Sequence, residues 1–311
     1  MARKPRIHYP GACYHVILRG NGGQDVFFSD QDRRHFCFLL QEGVKRYRHR
    51  VLAYCIMTNH IHLVIQVGEI PLSRIIQNLS FRYTRFINFQ RKQFGHLFQG
   101  RYKAILIDVD TYLLELVRYL HTNPVRAGMV KTPERYTWSS HLAYLKKDSV
   151  PWLSTTPVLS QFASTEKKAI ALYHEFMQTE KNDESPKIFQ KGNFEGRILG
   201  TDRFIEESLV KAAQNPSNKV TLSQILSAIC NEYSIKLEDL QSNSRQRKLT
   251  EARAVVALIV RELPHLPLMD LSRKIGRDLS GLSQAAGRLE KRLMDDSQLS
   301  NMIEKIKINL I

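Results

Sequence analysis

The sequence predicts an α+β domain, with helices covering one face of a mainly antiparallel sheet, followed by an all-helical C-terminal part. Two observations carry this. Up to Pro124 short apolar strands alternate with amphipathic helices, and beyond residue 245 helical segments follow one another, punctuated by Pro264 and Gly276. The length of 311 residues admits two domains and a sizeable core.

Residues 14–18 and 51–67 read as strands, 31–46 and 72–89 as helices, and 101–107 as a further strand. Residues 111–124 then form a helix. At 100° per residue Leu113, Leu116, Val117 and Leu120 make one apolar stripe, with Glu115, Arg118 and Thr122 opposite. Residues 1–145 are expected to form this first domain. Residues 146–245 are expected to be a helical connecting region with a polar, punctuated stretch at 178–193, its apolar positions including Phe204, Leu209, Leu222, Ile225, Ile229 and Leu237.

Residues 246–311 are expected to be a helix-turn-helix domain. A helix over 250–263 stops before Pro264, and a second over 268–275 closes at Gly276, which supplies the left-handed conformation of a tight turn. A third runs over 281–294. Between Leu271 and Leu293, Arg273, Lys274, Arg277, Arg288, Lys291 and Arg292 outnumber Asp278 and Glu290.

Net charge is +16 and the isoelectric point about 9.7, which favours a polyanionic partner such as nucleic acid over an acidic small molecule. Cys13, Cys37, Cys55 and Cys230 have no Cys-x-x-Cys spacing, which argues against a zinc ribbon or disulfide framework and fits a reducing cytoplasm. The basic opening residues 1–6 precede no apolar leader, and no run approaches a membrane span, so no membrane partner is expected. The absence of Gly-x-x-x-x-Gly-Lys-[Ser/Thr] argues against an ATPase module.

The candidate chemistry lies at His60-Ile61-His62, inside an apolar run. Residues i and i+2 of a strand share a face, so both imidazoles can converge on one divalent cation or phosphate. A second group lies on the 111–124 helix, where Tyr119 and Asn123 stand one above the other at the edge of the stripe. Tyr112, seven residues earlier, competes as nucleophile and Glu115 as metal ligand. Pro124 biases Asn123 away from helical geometry. An RNA phosphoesterase with two His-x-Thr motifs is argued against, because His60-Ile61-His62 lacks the threonine.

These residues resemble the HUH endonucleases, which carry His-hydrophobe-His on a strand and a nucleophilic tyrosine on a helix. Gly11-Ala-Cys-Tyr-His-Val-Ile-Leu-Arg-Gly-Asn21, Met57-Thr-Asn-His-Ile-His-Leu-Val64, Phe98-Gln-Gly-Arg-Tyr-Lys-Ala104, Tyr119-Leu-His-Thr-Asn-Pro-Val-Arg-Ala-Gly128 and Trp138-Ser-Ser140 look like successive blocks of the REP-associated tyrosine transposases. The resemblance implies a bacterial protein with a ferredoxin-like sheet and both histidines on a central strand. It implies Tyr119 as nucleophile and His60, His62 and Asn123 as ligands of Mg²⁺ or Mn²⁺. Arg19, Arg82, Arg85, Arg101, Lys103 and Arg126 are the DNA-contact candidates, since arginine forks suit phosphates and a mixed aromatic and basic surface suits an unpaired strand.

Residues 253–292 also resemble the DNA-binding domain of the replication initiator DnaA, most clearly in Gly276-Arg-Asp-Leu-Ser280. That assigns Arg273, Lys274, Arg277, Ser280 and Arg288 to duplex DNA. Leu279 stands where the initiators typically carry a base-reading histidine, so their sequence preference does not transfer. The expected function is cleavage and rejoining of single-stranded hairpin or repetitive palindromic DNA through a 5′-phosphotyrosine. The expected location is the bacterial cytoplasm, in association with the nucleoid, and the alternative function is a DNA-binding regulator that acts through the C-terminal helix-turn-helix with little or no transposition. Monomer and homodimer with exchanged tyrosine helices both remain open.

Overall fold

The computed structural model describes residues 7–179, 185–214, 220–263, 266–293 and 295–310. Residues 1–6, Pro264, Met294 and part of the polar stretch at 178–193 lie outside the described residues. Two compact units result, Ile7–Val210 and a C-terminal one from Lys211 onward. The expected connecting region is therefore divided between them at Val210 and is no separate body.

The first unit opens with β1 (Cys13–Arg19), α1 (Asp30–Tyr47), β2 (Arg50–Ile56), β3 (His60–Gln66), α2 (Leu72–Arg91) and β4 (Lys103–Ile107). The sheet order is β2-β3-β1-β4-β5, where β5 is the short Ile198–Leu199. The first four strands pair antiparallel, as expected, and β5 adds a parallel edge that makes the sheet mixed. The run at 51–67 breaks into a hairpin at Thr58-Asn59. The carbonyls of this polar pair accept bonds from the backbone amides of Gly20, Val26 and Phe27, which ties the turn to the segment after β1.

Alternate strand residues face opposite sides of the sheet. Val16, Leu18, Ile61, Leu63 and Ile65 are buried on one side, Cys13, His15, His62, Val64 and Ile105 on the other. Helices were expected on one face, but both faces are buried. The helix α3 (Val109–Arg126) closes the histidine face, where Val64, Ile105, Leu113, Val117, Tyr119 and Leu120 share one core. α1 and α2 pack on each other through rings such as Phe36 and Tyr83, with centroids 5.1 Å apart.

α3 forms because Leu113, Leu116, Val117 and Leu120 place their side chains on one buried stripe. It continues through Pro124, and the amide of Ala127 donates to the Asn123 carbonyl at 3.0 Å. The expected departure of Asn123 from helical geometry is thus corrected. Near a helix C-terminus proline removes a single bond, and the buried Pro124 ring is held by packing. Helices α4 (His141–Tyr144), α5 (Thr156–Leu159), α6 (Glu166–Gln178) and α7 (Ser185–Lys191) complete this core through Tyr144, Val158, Tyr173 and Phe189. α8 (Asp202–Gln214) follows β5.

The second unit contains α9 (Leu222–Glu232), α10 (Leu237–Gln241), α11 (Arg247–Glu262), α12 (Leu268–Ile275), α13 (Leu279–Arg292) and α14 (Ser297–Leu310). α11 supplies its centre with Ala252, Val255, Val256, Ile259 and Val260. Gly276 ends α12 at φ 62°, as its position predicts, and the Asp278 carboxylate caps α13 by accepting from the Gly281 amide at 2.7 Å. α13 therefore starts two residues ahead of the expected Gly281, because the cap lies at Asp278. Among the described residues no helix is long and apolar enough to cross a membrane.

Candidate active site

β3 lies between β2 and β1, so His60 and His62 stand on an interior strand with neighbours on both sides. Register places Arg19 of β1 across from His60, and Ile17 of β1 and Cys55 of β2 across from His62. The two imidazoles share a face with ring centroids 5.0 Å apart. His62 is 3 % exposed, and His60 is half-buried.

The hydrogen bonds settle which nitrogen of each ring carries the proton. The Phe189 carbonyl can only accept, so His15 Nδ1–H donates to it at 2.8 Å. In the neutral ring His15 Nε2 is then an acceptor, and His62 Nδ1–H donates to it at 2.9 Å. His62 Nε2 is left with its lone pair. At His60 the Nδ1–H donates to Asn59 Oδ1 at 2.7 Å, and the Asn59 amide is oriented by donating Nδ2–H to the Gly23 carbonyl at 3.1 Å. His60 Nε2 is likewise left as a lone pair. Neither Nε2 atom has a hydrogen-bond partner among the described residues.

Electrostatics keeps the rings neutral. Burial lowers the pKa of His15 and of His60 to about 4, with the charges of Lys103 and Arg19 respectively acting in the same direction. Burial also holds His62 well below its ordinary value, with His15, His60 and Arg126 contributing. At neutral pH the site therefore presents two bare imidazole nitrogens, each oriented by a bond at the other ring nitrogen. A metal ligand requires this arrangement. Among the described residues no group of three His, Cys, Asp or Glu side chains is placed to hold a metal. A cation held on His60 and His62 would draw its further ligands from amide, phosphate or water oxygen.

Tyr119 reaches this pair from α3. Its ring lies 5.6 Å from His62 and 5.9 Å from His15, and it is 4 % exposed. Gln190 Nε2–H on α7 donates to its hydroxyl at 3.1 Å, Phe189 packs against its ring at 5.3 Å, and the Arg126 guanidinium lies 4.3 Å from the ring centroid. Asn123 follows one turn later on α3 and is half-buried. Of the competing candidates, Tyr112 packs against the same hydrophobic core that contains Tyr119, and Glu115 forms an ion pair with Arg118 at 2.5 Å. A single chain contributes all the groups gathered here.

The structure thus brings together His60, His62, Tyr119, Arg19 and Arg126, with Lys103 starting β4 opposite Ile17 on the same face. Arg82 and Arg85 lie on α2, and Arg101 is exposed just ahead of β4. In the second unit Arg273, Lys274 and Arg288 are exposed on α12 and α13. Arg277 donates to Asn243 Oδ1 at 3.0 Å, and the Ser280 hydroxyl donates to Asp278 at 2.5 Å, so both take part in internal bonding. Arg253, in the initiator-like stretch, is a structural clamp: its guanidinium donates to the carbonyls of Asp239, Leu240, Ser242 and Ser244.

Sequence reasoning missed His15, Asn59, Phe189 and Gln190. A signal existed for His15, since it falls on the strand face shared with His62, but its partner strand had to be known to use it. Phe189 and Gln190 lie in a polar stretch with no such signal.

Residues 9–123 match the family model of the IS200-like transposases, and residues 222–288 that of the bacterial DnaA protein helix-turn-helix. A solved structure of a REP-associated tyrosine transposase bound to a REP hairpin aligns with a TM-score of 0.41 at 16% identity, covering 50% of this chain and 92% of that one. The DnaA protein of Thermoanaerobacter sp. (strain X514) is 28% identical over 102 residues, which is 33% of this chain and 23% of the relative. That of Thermodesulfovibrio yellowstonii is 20% identical over 292 residues, 79% of this chain and 64% of the relative. In both cases the chain spans less than two thirds of the relative's length. Residues 9–123 of this chain are thus similar to the IS200-like transposases, and residues 222–288 to the helix-turn-helix of the bacterial DnaA protein.

Proposed function

We propose that this protein is a metal-dependent single-stranded DNA endonuclease and strand transferase that cleaves hairpin or repetitive palindromic DNA through Tyr119. The observation that carries the proposal is the pair of bare, neutral Nε2 atoms on His60 and His62 beside the phenol. A divalent cation held there, with Asn123 as a further oxygen ligand, would draw charge from the phosphate and orient it for in-line attack.

The chain's own groups supply the rest. The Tyr119 hydroxyl oxygen attacks phosphorus, a phenol–phosphate bond forms, and the electron pair of the broken P–O bond leaves on the 3′ oxygen. The phenol loses one proton and the 3′ oxygen gains one, so the step balances. Gln190, which donates to the phenol oxygen, has to yield that lone pair to the phosphate. Arg126, over the Tyr119 ring, and Arg19, across from His60, place positive charge where the phosphodiester must sit. The 5′-phosphotyrosine keeps the phosphoester bond energy, so attack by another 3′-hydroxyl rejoins strands without ATP.

The α12–α13 pair, with exposed Arg273, Lys274 and Arg288, supports duplex binding by the second unit. A regulator acting through that unit alone is the competing function. The test is incubation with a labelled single-stranded hairpin, with and without Mn²⁺ or Mg²⁺, followed by denaturing electrophoresis and peptide mapping. A metal-dependent adduct on Tyr119 is expected. Binding without adduct, across several hairpins and both metals, would favour the regulator.

A further inference from the structure

From Ile70 to Ile107 the chain carries no acidic residue, while Arg82, Arg85, Arg91, Lys92, Arg101 and Lys103 fall within it. The same stretch holds unusually exposed rings. Phe81 is 64%, Phe89 86% and Phe94 100% exposed. On α2 positions 81, 85 and 89 are spaced by four, so Phe81, Arg85 and Phe89 form one outward row, each about 6 Å further along the axis. Phe94 lies in the exposed loop that follows.

The loop that follows the row leads back toward the active site. The loop after α2 runs back along the end of β1: the Asn21 amide donates to the Leu97 carbonyl at 2.9 Å, and the Gln99 amide to the Arg19 carbonyl at 2.8 Å. Arg19 faces His60, and Lys103 pairs with Ile17 on the face of His62. The acid-free stretch thus starts on an outer helix row and ends beside the two histidines.

We propose that the α2 row and the loop after it bind unpaired nucleotides that flank the cleavage position. Phe81, Phe89 and Phe94 stack bases, and Arg82 and Arg85 hold the intervening phosphates. This rests on the single-strand nuclease function proposed above. Stacking accepts any base, because every base has a π-face, and alternating rings with cations is the composition such a path requires. The same alternation opposes a second copy as the occupant, since a two-fold contact would set the cationic row against itself.

The test is binding of a hairpin with an unpaired flank carrying 2-aminopurine, measured without divalent cation so that no cleavage intervenes. A blunt hairpin of the same stem is the control. Phe89→Leu and Phe94→Leu keep apolar area and remove the π-face, and both side chains are exposed, so the melting temperature should not move. Each substitution should weaken flanked-hairpin binding about tenfold and reduce quenching of the 2-aminopurine, with the blunt hairpin bound as by wild type. Unchanged affinity for the flanked hairpin would overturn the proposal. So would an equal loss on the blunt hairpin, or a wild-type dimer that the substitutions dissociate while flank binding persists. The metal-dependent Tyr119 adduct is scored separately. Ring-dependent flank binding without an adduct would leave the stacking surface standing and remove the nuclease function.

Discussion

Two buried histidine chains sit in the first unit, and they end differently. In one, His121 bonds the Ser140 hydroxyl at 2.6 Å and the Tyr173 hydroxyl at 2.8 Å, and His141 bonds the same tyrosine at 2.6 Å and Glu134 at 3.3 Å. All four ring nitrogens are satisfied, so the network has nothing left to offer a ligand. It ties α3 to α4 and α6 as packing does. In the other, Phe189, His15 and His62 form a chain whose last nitrogen has no partner among the described residues, and His60 repeats the pattern through Asn59. An imidazole is poised for chemistry when one nitrogen is held and the other is left bare. Burial alone does not make it so.

The largest effect should come from Tyr119→Phe, which removes the attacking oxygen. Hairpin binding should persist with no covalent adduct on denaturing gels, and an undiminished adduct would move the nucleophile to Tyr112 or beyond. His60→Ala or His62→Ala should abolish metal-dependent cleavage while sparing duplex binding by the second unit. Cleavage at the wild-type rate would remove the metal-site argument.

His15→Phe sharpens the comparison. Phenylalanine fills the space of the imidazole but cannot accept from His62, so the His62 tautomer is no longer specified. Mn²⁺ affinity should fall about 10–100-fold, as for other outer partners of metal-binding histidines. Long-range ¹H–¹⁵N spectra of the wild-type protein should show His62 protonated at Nδ1. His121→Phe is the matched control: it should cost about 1–3 kcal/mol of stability by leaving Ser140 and Tyr173 short of a partner, with Mn²⁺ affinity lowered less than by His15→Phe.

The smallest effect concerns acid. Burial depresses the pKa of His49 to about 4 and lowers those of His121 and His141, whereas in the unfolded chain each titrates near 6.5. Between those values the unfolded state binds more protons, so the stability these groups contribute is fully present above about pH 6.5 and declines as the pH falls toward 4. The melting temperature should drop across that window. A flat profile would mean that these rings are more accessible to water than their burial indicates.

Much of this was legible beforehand. His60 and His62 announce themselves by strand periodicity, Tyr119 by its place at the edge of the α3 stripe, and the α12–α13 turn by Gly276. The α+β class followed from the alternation of apolar periods. Other features were not legible. Cover on the second face of the sheet depends on α3 and the later helices, whose docking no local pattern records. Pro124 pointed the wrong way about Asn123, because the tendency of the residue before proline yields to a buried helix end.

The amino-acid sequence by itself determined the chemical groups and their spacing along each element, since side-chain direction in a strand or helix follows from backbone geometry alone. Tertiary structure decided which nitrogen of His62 stays bare, whereas His60 is set by its neighbour Asn59. A tautomer is set by the partner at the opposite ring atom. For His62 that partner is His15, 47 positions away, itself held by the Phe189 carbonyl 174 positions further along.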